Sequence, residues 1–265
     1  MIYVCIPSYN EAATVGLLLW KIRQVFAGFP REYQLLLLDD GSTDATSEVL
    51  EPYVRVLPLT LLRHEVRQGY AASVEALLRK AVELTDRPKR DAAIVMHADF
   101  AHNPQAIPDL VRRIESGADV VVAEGRIEGQ QSWPHRMLRR FAPLFLRGIV
   151  AVPGVTDLVS GFAIFRLVAL RNALRSQNGA LLVTDGLAAN AELYWRAGRY
   201  ARRVEAIPVV ERHDLRGRGT RLQPWPTAMQ LWRARRLLRN TPIPPVTADA
   251  SARRESEREA EAVSS

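Results

Sequence analysis

Cysteine, a secretory leader and a membrane-crossing run are what this sequence lacks or nearly lacks. Its one cysteine, Cys5, sits in an apolar opening strand. No internal disulfide can form, and the thiol is expected to pack as a small hydrophobe in a reducing compartment. The opening "MIYVCIPSYNE" has no basic region followed by an apolar one, so no leader is expected there. No run approaches the roughly 18 to 20 apolar residues that cross a bilayer. The longest, "FAPLFLRGIVAVP" (141–153), is cut by Arg147 and Gly148. The expectation is a cytoplasmic protein, soluble or peripheral on the inner face of the membrane.

What is present is a chain of 265 residues, 48% hydrophobic, enough for one large domain with an appendage. Its net charge is +7 and its pI about 10.0. The tail "DASARRESEREAEAVSS" carries −2, so the remainder is more basic still. Such a field suits an anionic partner: nucleic acid, a phosphorylated small molecule or a membrane surface. It also suits mere solubility. Nucleic acid is set aside, because neither a groove-reading helix motif nor an RNA-binding aromatic signature is present.

Along the chain, apolar runs alternate with amphipathic ones. Residues 2–6 read as a strand closed by Pro7, and Asn10 or Thr14 can cap the stretch running to Phe26. "YQLLLLDD" is a continuous apolar run of the kind buried on both faces of a parallel sheet. "STDATSEVLEPYV" then starts a helix, with Ser42 or Thr43 as its cap. "LTLLRH", "RDAAIVMHAD" and "ADVVVAEGR" read as further strands, and "GYAASVEALLRKAVEL" and "IPDLVRRIESG" as helices, with another near 184–197. This is an open α/β sheet, in which ligands bind beyond the carboxyl ends of the strands. Those ends are "PSYNE" (7–11), "DDGSTD" (39–44), "HADFAH" (97–102) and "EGR" (124–126).

The segments "IPSYNEAATV", "LLDDGSTDAT", "RHEVRQGYAASVEALLRKA", "MHADFAHNPQAIPDL", "ADVVVAEGR", "VSGFAIFR" and "RGRGTRL" follow one another in an order that resembles the inverting family 2 glycosyltransferases of the GT-A fold. The similarity is greatest to the polyprenyl (dolichol) phosphate mannose synthase branch. It covers about residues 1–225, and the ordered set is far more specific than any one motif. It implies a GT-A, Rossmann-like open mixed sheet with helices on both faces. Residues 1–226 are expected to form that domain, 227–240 a C-terminal basic helix, and 241–265 a proline-rich linker and disordered charged tail.

By the same resemblance, Pro7, Tyr9 and Glu11 shape a nucleoside pocket, and Asp39 and Asp40 bind the base or ribose. The plainer roles are a turn and helix cap for "DDGS" and a helix-start carboxylate for Glu11. At the third strand end the family carries an Asp-x-Asp pair that holds Mn²⁺ or Mg²⁺ on the sugar diphosphate. Here the first acid is His97, and Asp99 alone matches. Ala101 and Gln105 are further departures, while His102 matches. His97 can be a ligand biased toward Mn²⁺, a direct diphosphate contact, or a strand-end residue with no ligand.

On the acceptor side, aligning "AANAELYWRAG" puts Ala189 and Asn190 where many relatives carry a Glu-Asp base. A phosphate acceptor is already ionised and needs cations rather than a base. Arg126, Arg136, Arg139, Arg140 and Arg147 lie in one segment, and Arg212, Arg216, Arg218 and Arg221 in another. The resemblance implies acceptor contacts at Arg126, Arg136, Arg140 and Arg212, and a loop carrying Arg218 or Arg221 that closes over the diphosphate. It also places Asp157 near the sugar, and Gly161 of "SGF" allows close backbone approach there. The implied donor is a GDP- or UDP-sugar and the implied acceptor a polyprenyl phosphate or another anionic acceptor. A soluble phosphorylated or hydroxyl acceptor, and a non-catalytic nucleotide-sugar binder, remain as alternatives. "FAPLFLRGIVAVP" and "AMQLWRARRLLR" (228–239) can lie on an anionic membrane surface, although Arg235 interrupts the apolar face of the second, and core packing with an exposed basic side serves as well.

Overall fold

The computed structural model describes residues 1–128, 150–177, 179–212 and 224–240. Arg136, Arg139, Arg140, Arg147, Arg216, Arg218, Arg221 and the expected tail lie outside the described residues. The backbones of Arg126 and Arg212 are described and their side chains are not.

The strands are β1 (Ile2–Ser8), β2 (Tyr33–Asp40), β3 (Leu59–His64), β4 (Ala92–Val95), β5 (Val120–Glu128), β6 (Ala163–Arg166) and β7 (Val204–Arg212). The helices are α1 (Val15–Gly28), α2 (Thr46–Val56), α3 (Tyr70–Leu84), α4 (Ile107–Glu115), α5 (Leu167–Arg175), α6 (Leu187–Gly198) and α7 (Pro224–Asn240). They build one sheet in the order β3-β2-β1-β4-β6-β5-β7. The β1 to β4 pairings are parallel, β6 runs antiparallel to both β4 and β5, and β7 is parallel to β5. The carboxyl ends of every strand but β6 therefore share one edge, and β6 starts from it.

Alternation along the strands sorts the core into two layers. Val4, Ile6, Leu35 and Leu37 face α1, α2 and α4, where Leu18, Ile22, Leu50 and Leu110 are buried. Tyr3, Cys5, Leu36 and Leu38 face α3, α5 and α6. Cys5 is fully buried, and that burial pushes its thiol pKa up, as expected of a packed hydrophobe.

Local details differ from the sequence reading. Strand β4 ends at Val95, not Asp99, because after the Met96 N–H bonds the Cys5 carbonyl the chain turns into the site. Helix α2 starts at Thr46, with Ala45 rather than Ser42 or Thr43 at the cap position. The Thr46 N–H is taken by the Asp44 carboxylate at 3.0 Å. Strands β6 and β7 were not read from the sequence at all. At four residues β6 has no periodicity to detect, and its place between β4 and β5 is a tertiary fact. Helix α7 buries Leu231, Ala234 and Leu238 against the α6 side of the core.

The end of β6 and the entry into β5 are clamped by one ion pair. The Arg166 Nε donates to Asp119 Oδ1 at 2.7 Å, and its other nitrogens reach the carbonyls of Lys89, Ile114 and Ala118. Asp119 Oδ2 also accepts the Arg202 N–H at 2.8 Å. Both side chains are largely buried, so removing one partner strands the other. Asp119→Ala should cost about 3 to 5 kcal/mol, read as a lowered urea midpoint with little change in slope.

Candidate active site

At the end of β1 the backbone turns at Asn10, which takes a left-handed φ of 54° that asparagine tolerates. The turn is pinned to the loop after β2. The Asn10 N–H donates to Ser42 Oγ at 2.9 Å, the Thr43 N–H donates to Asn10 Oδ1 at 2.8 Å, and the Glu11 N–H donates to Thr46 Oγ1 at 2.8 Å. Thus Ser42 and Thr43, read as helix caps, instead tie two strand ends together. Glu11 accepts from Thr14 Oγ1 at 2.9 Å, the helix-start role. The Tyr9 ring lies under the Arg67 guanidinium at 4.2 Å, so a third loop, after β3, joins this wall.

Asp39 and Asp40 are 1% and 3% exposed. Asp39 accepts the Ser42 N–H at 3.1 Å and the Ser47 hydroxyl at 2.5 Å, with Arg63 at 3.8 Å. Asp40 pairs with His64 Nδ1 at 2.7 Å and accepts the N–H groups of Gln68 and Gly69, each at 2.8 Å. Expected at the base or ribose, both carboxylates hold their own loops in this structure. Burial raises the Asp40 pKa, but the Gln68 amide, His64 and the Gly69 amide together bring it below the ordinary carboxylate value.

Beyond β4, His97 points into the molecule. Its Nε2 lies 3.2 Å from the Tyr70 hydroxyl, and its backbone N–H donates to His102 Nδ1 at 3.1 Å. Tyr70 itself donates to Asn190 Oδ1 at 2.8 Å, and Asn190 Nδ2 reaches the Val159 carbonyl at 3.2 Å. The Tyr70 hydroxyl thus stands between the His97 ring and Asn190. The ring fits only because residue 161 is glycine: a Cβ there would stand 2.1 Å from Nε2. Close approach at Gly161, expected of its backbone toward the sugar, is made here by the His97 ring. His102 is buried and stacks on Phe162 with ring centroids 5.0 Å apart.

Asp99 is half-buried, and its Oδ1 accepts the Ala101 N–H at 3.0 Å, across a turn where Phe100 takes a φ of 61°. Asp157 Oδ1 accepts the N–H groups of Val159 and Ser160, shaping the "SGF" turn, and Glu124 Oε1 accepts the N–H of Asp157. Pro7 lies on β1 beside Leu38. Sequence reasoning missed Tyr70, whose signal was an aromatic at the first helical position after Gly69, and Glu192, fully buried and holding the Val183 and Thr184 N–H groups. Between α3 and residues 180–185 lies a cleft of about 430 Å³, lined by Gln68, Glu75, Arg79, Thr184 and Asp185 among others.

Among the described residues no three His, Cys, Asp or Glu side chains converge as a metal site. Mg²⁺-like ions need no such cage, being held by one or two carboxylates together with substrate phosphates. Asp99, a hard oxygen donor at the site edge, fits that arrangement. His97, expected as its companion ligand, has its Nε2 3.2 Å from the Tyr70 hydroxyl.

The open mixed sheet, with its polar groups at the carboxyl edge, is that of a GT-A glycosyltransferase. The chain belongs to glycosyl transferase family 2, whose model matches residues 3–174. It is 27% identical over 168 residues to a dolichol-phosphate mannosyltransferase of Pyrococcus furiosus, covering 62% of this chain and 45% of that protein. It is 23% identical over 211 residues to a polyprenol monophosphomannose synthase of Mycolicibacterium smegmatis, covering 78% and 76%. The chain thus spans less than half of the first relative and about three quarters of the second. Among solved structures, glucosyl-3-phosphoglycerate synthase from Mycobacterium tuberculosis, in complex with Mn²⁺, UDP-glucose and phosphoglyceric acid, superposes with a TM-score of 0.59 at 18% identity, covering 92% and 81%.

Two outcomes follow from this geometry. Gly161→Ala drives a Cβ into the His97 ring, so it should lower stability by about 1 to 3 kcal/mol, seen in denaturant titration, and weaken nucleotide-sugar binding in calorimetry. Asp40 has a depressed pKa in the folded state, so its contribution is fully present above the unfolded value near about 3.9 and is lost as pH falls through the lower folded value. Asp40→Asn should therefore cost roughly 2 kcal/mol at neutral pH and flatten the acid limb of the stability profile.

Proposed function

We propose that the chain transfers a sugar, with inversion, from a nucleoside diphosphate sugar to a polyprenyl phosphate at the cytoplasmic face of a membrane. The observation that carries the reading is Asn190. At the helix where a hydroxyl acceptor would need a base stands an amide, bonded to the Tyr70 hydroxyl and the Val159 carbonyl. An amide takes no proton at neutral pH. Burial pushes the Tyr70 pKa up, so the phenol stays neutral as well. An acceptor that arrives ionised needs neither. The names of the two sequence relatives, both polyprenyl-phosphate sugar transferases, support the same acceptor.

In this mechanism the loops after β1, β2 and β3, with Pro7, Tyr9 and Glu11, enclose the nucleoside of a GDP- or UDP-sugar, and Asp39 and Asp40 keep two of those loops in place. Asp99 would hold a divalent cation, Mn²⁺ or Mg²⁺, which when bound neutralises charge on the diphosphate. Arg126, Arg136, Arg140 and Arg212 orient the acceptor phosphate, and Arg218 and Arg221 close on the donor. A phosphate oxygen attacks the anomeric carbon as the bond to the diphosphate breaks. No proton is transferred. His97 supports the turn that carries Asp99, and Asp157 sets the "SGF" turn beside the sugar. A soluble phosphorylated acceptor is the second reading, favoured by the likeness in fold to a synthase solved in complex with phosphoglyceric acid.

The test is a panel of GDP- and UDP-sugars with Mn²⁺ or Mg²⁺, offered with polyprenyl phosphate, the corresponding alcohol, or a soluble phosphate ester. We expect turnover on the polyprenyl phosphate and none on the alcohol; donor binding without turnover on any acceptor would sink the reading. Asp99→Asn should lower kcat by roughly 10²-fold. His97→Asn should lower activity without changing the preference between Mn²⁺ and Mg²⁺, whereas a change in that preference would restore His97 as a ligand.

A further inference from the structure

Helix α7 has two faces of different character. Leu231, Ala234 and Leu238, spaced three and four apart, are 0%, 3% and 2% exposed and join the core against α6. The opposite side carries Met229, Trp232 and Leu237, which are 44%, 55% and 50% exposed. Interleaved with them are Arg233, Arg236 and Arg239, all exposed, with Arg235 at the flank. No acid occurs between Pro224 and Asn240. An indole and two aliphatic chains held in water by a folded core, among uniformly positive charges, match the interface of an anionic bilayer: headgroup phosphates meet the guanidinium groups and the indole settles at the acyl boundary. Arginine stems can lie along apolar surface while their heads stay at the phosphates. The sequence reading treated core packing and membrane contact as rivals, but the helix provides a separate face for each.

We infer that the outward face of α7 is a docking surface for an anionic lipid bilayer. The inference rests on the polyprenyl-phosphate reading for its purpose, because that acceptor resides in a bilayer. Its geometry stands apart from that reading. Helix α7 packs on α6, which brings Asn190 to Tyr70, and Gln230 lies beside Gly186 at the start of α6. Docking through α7 holds the acceptor side of the site one helix layer from the lipid.

The test uses the full chain and vesicles of phosphatidylcholine, alone or with a third of the lipid as phosphatidylglycerol, with no donor or prenyl phosphate present. Binding is expected to the anionic vesicles only, to fall steeply with added salt, and to shift tryptophan emission to the blue. Trp232→Ala with Arg233, Arg236 and Arg239 all changed to Gln should weaken it on the order of 10²-fold. Replacing the three arginines with Lys should preserve most of it. Equal binding to neutral vesicles, no binding, or unchanged binding by the Gln variant overturns the inference, as does burial of the face in a dimer that Trp232→Glu dissociates. Unaltered thermal melting shows that each variant is folded. Turnover on a short-chain prenyl phosphate in detergent is measured in parallel. If turnover is absent while anionic binding persists, the acceptor reading has failed and the docking surface has not; turnover without vesicle binding is the reverse.

Discussion

Carboxylates that accept backbone N–H groups, three of the four buried, hold the loops around the carboxyl edge of this sheet in shape. Asp40 takes the amides of Gln68 and Gly69, Asp39 that of Ser42, Asp157 those of Val159 and Ser160, and Glu192 those of Val183 and Thr184. A buried carboxylate is tolerable only when such donors replace its hydration. The loops of a wound α/β sheet supply them, because loop backbone leaves amides without ladder partners. One kind of interaction thereby fixes the loops after β1, β2 and β3 and the "SGF" turn.

This constraint changes what an acidic residue in a motif means. Asp39, Asp40 and Asp157, expected at the donor, also have a role within the fold, where their carboxylates hold loops. Asp99 and Asp157 are half-buried, whereas Asp39 and Asp40 are buried. The second device is steric. Gly161 leaves room for the His97 ring, which links the strand end through Tyr70 to Asn190 on α6. The end of β4 and helix α6 are thus joined by a chain of polar side chains.

Helix α7 shows how one segment satisfies two demands. Three residues on one side contribute to the core, and the basic and aromatic side is left outward. Arg235, a flaw in an apolar stripe when the sequence is read alone, lies outside the buried set and costs the packing nothing.

The sequence by itself determined the wound α/β class, five of the seven strands, the edge on which polar residues collect and the family. Long apolar runs such as "YQLLLLDD" and ordered motifs encode those locally. It could not determine β6 or β7, whose places depend on partners distant in the chain. Nor could it say which way a strand-end side chain turns. His97 faces Tyr70 and Gly161, residues 27 and 64 positions away, and Asp40 faces a loop that starts 24 positions on. Only the tertiary structure decided those orientations, because the cost of burying a polar group is settled by whichever donors and free space the packed neighbours provide.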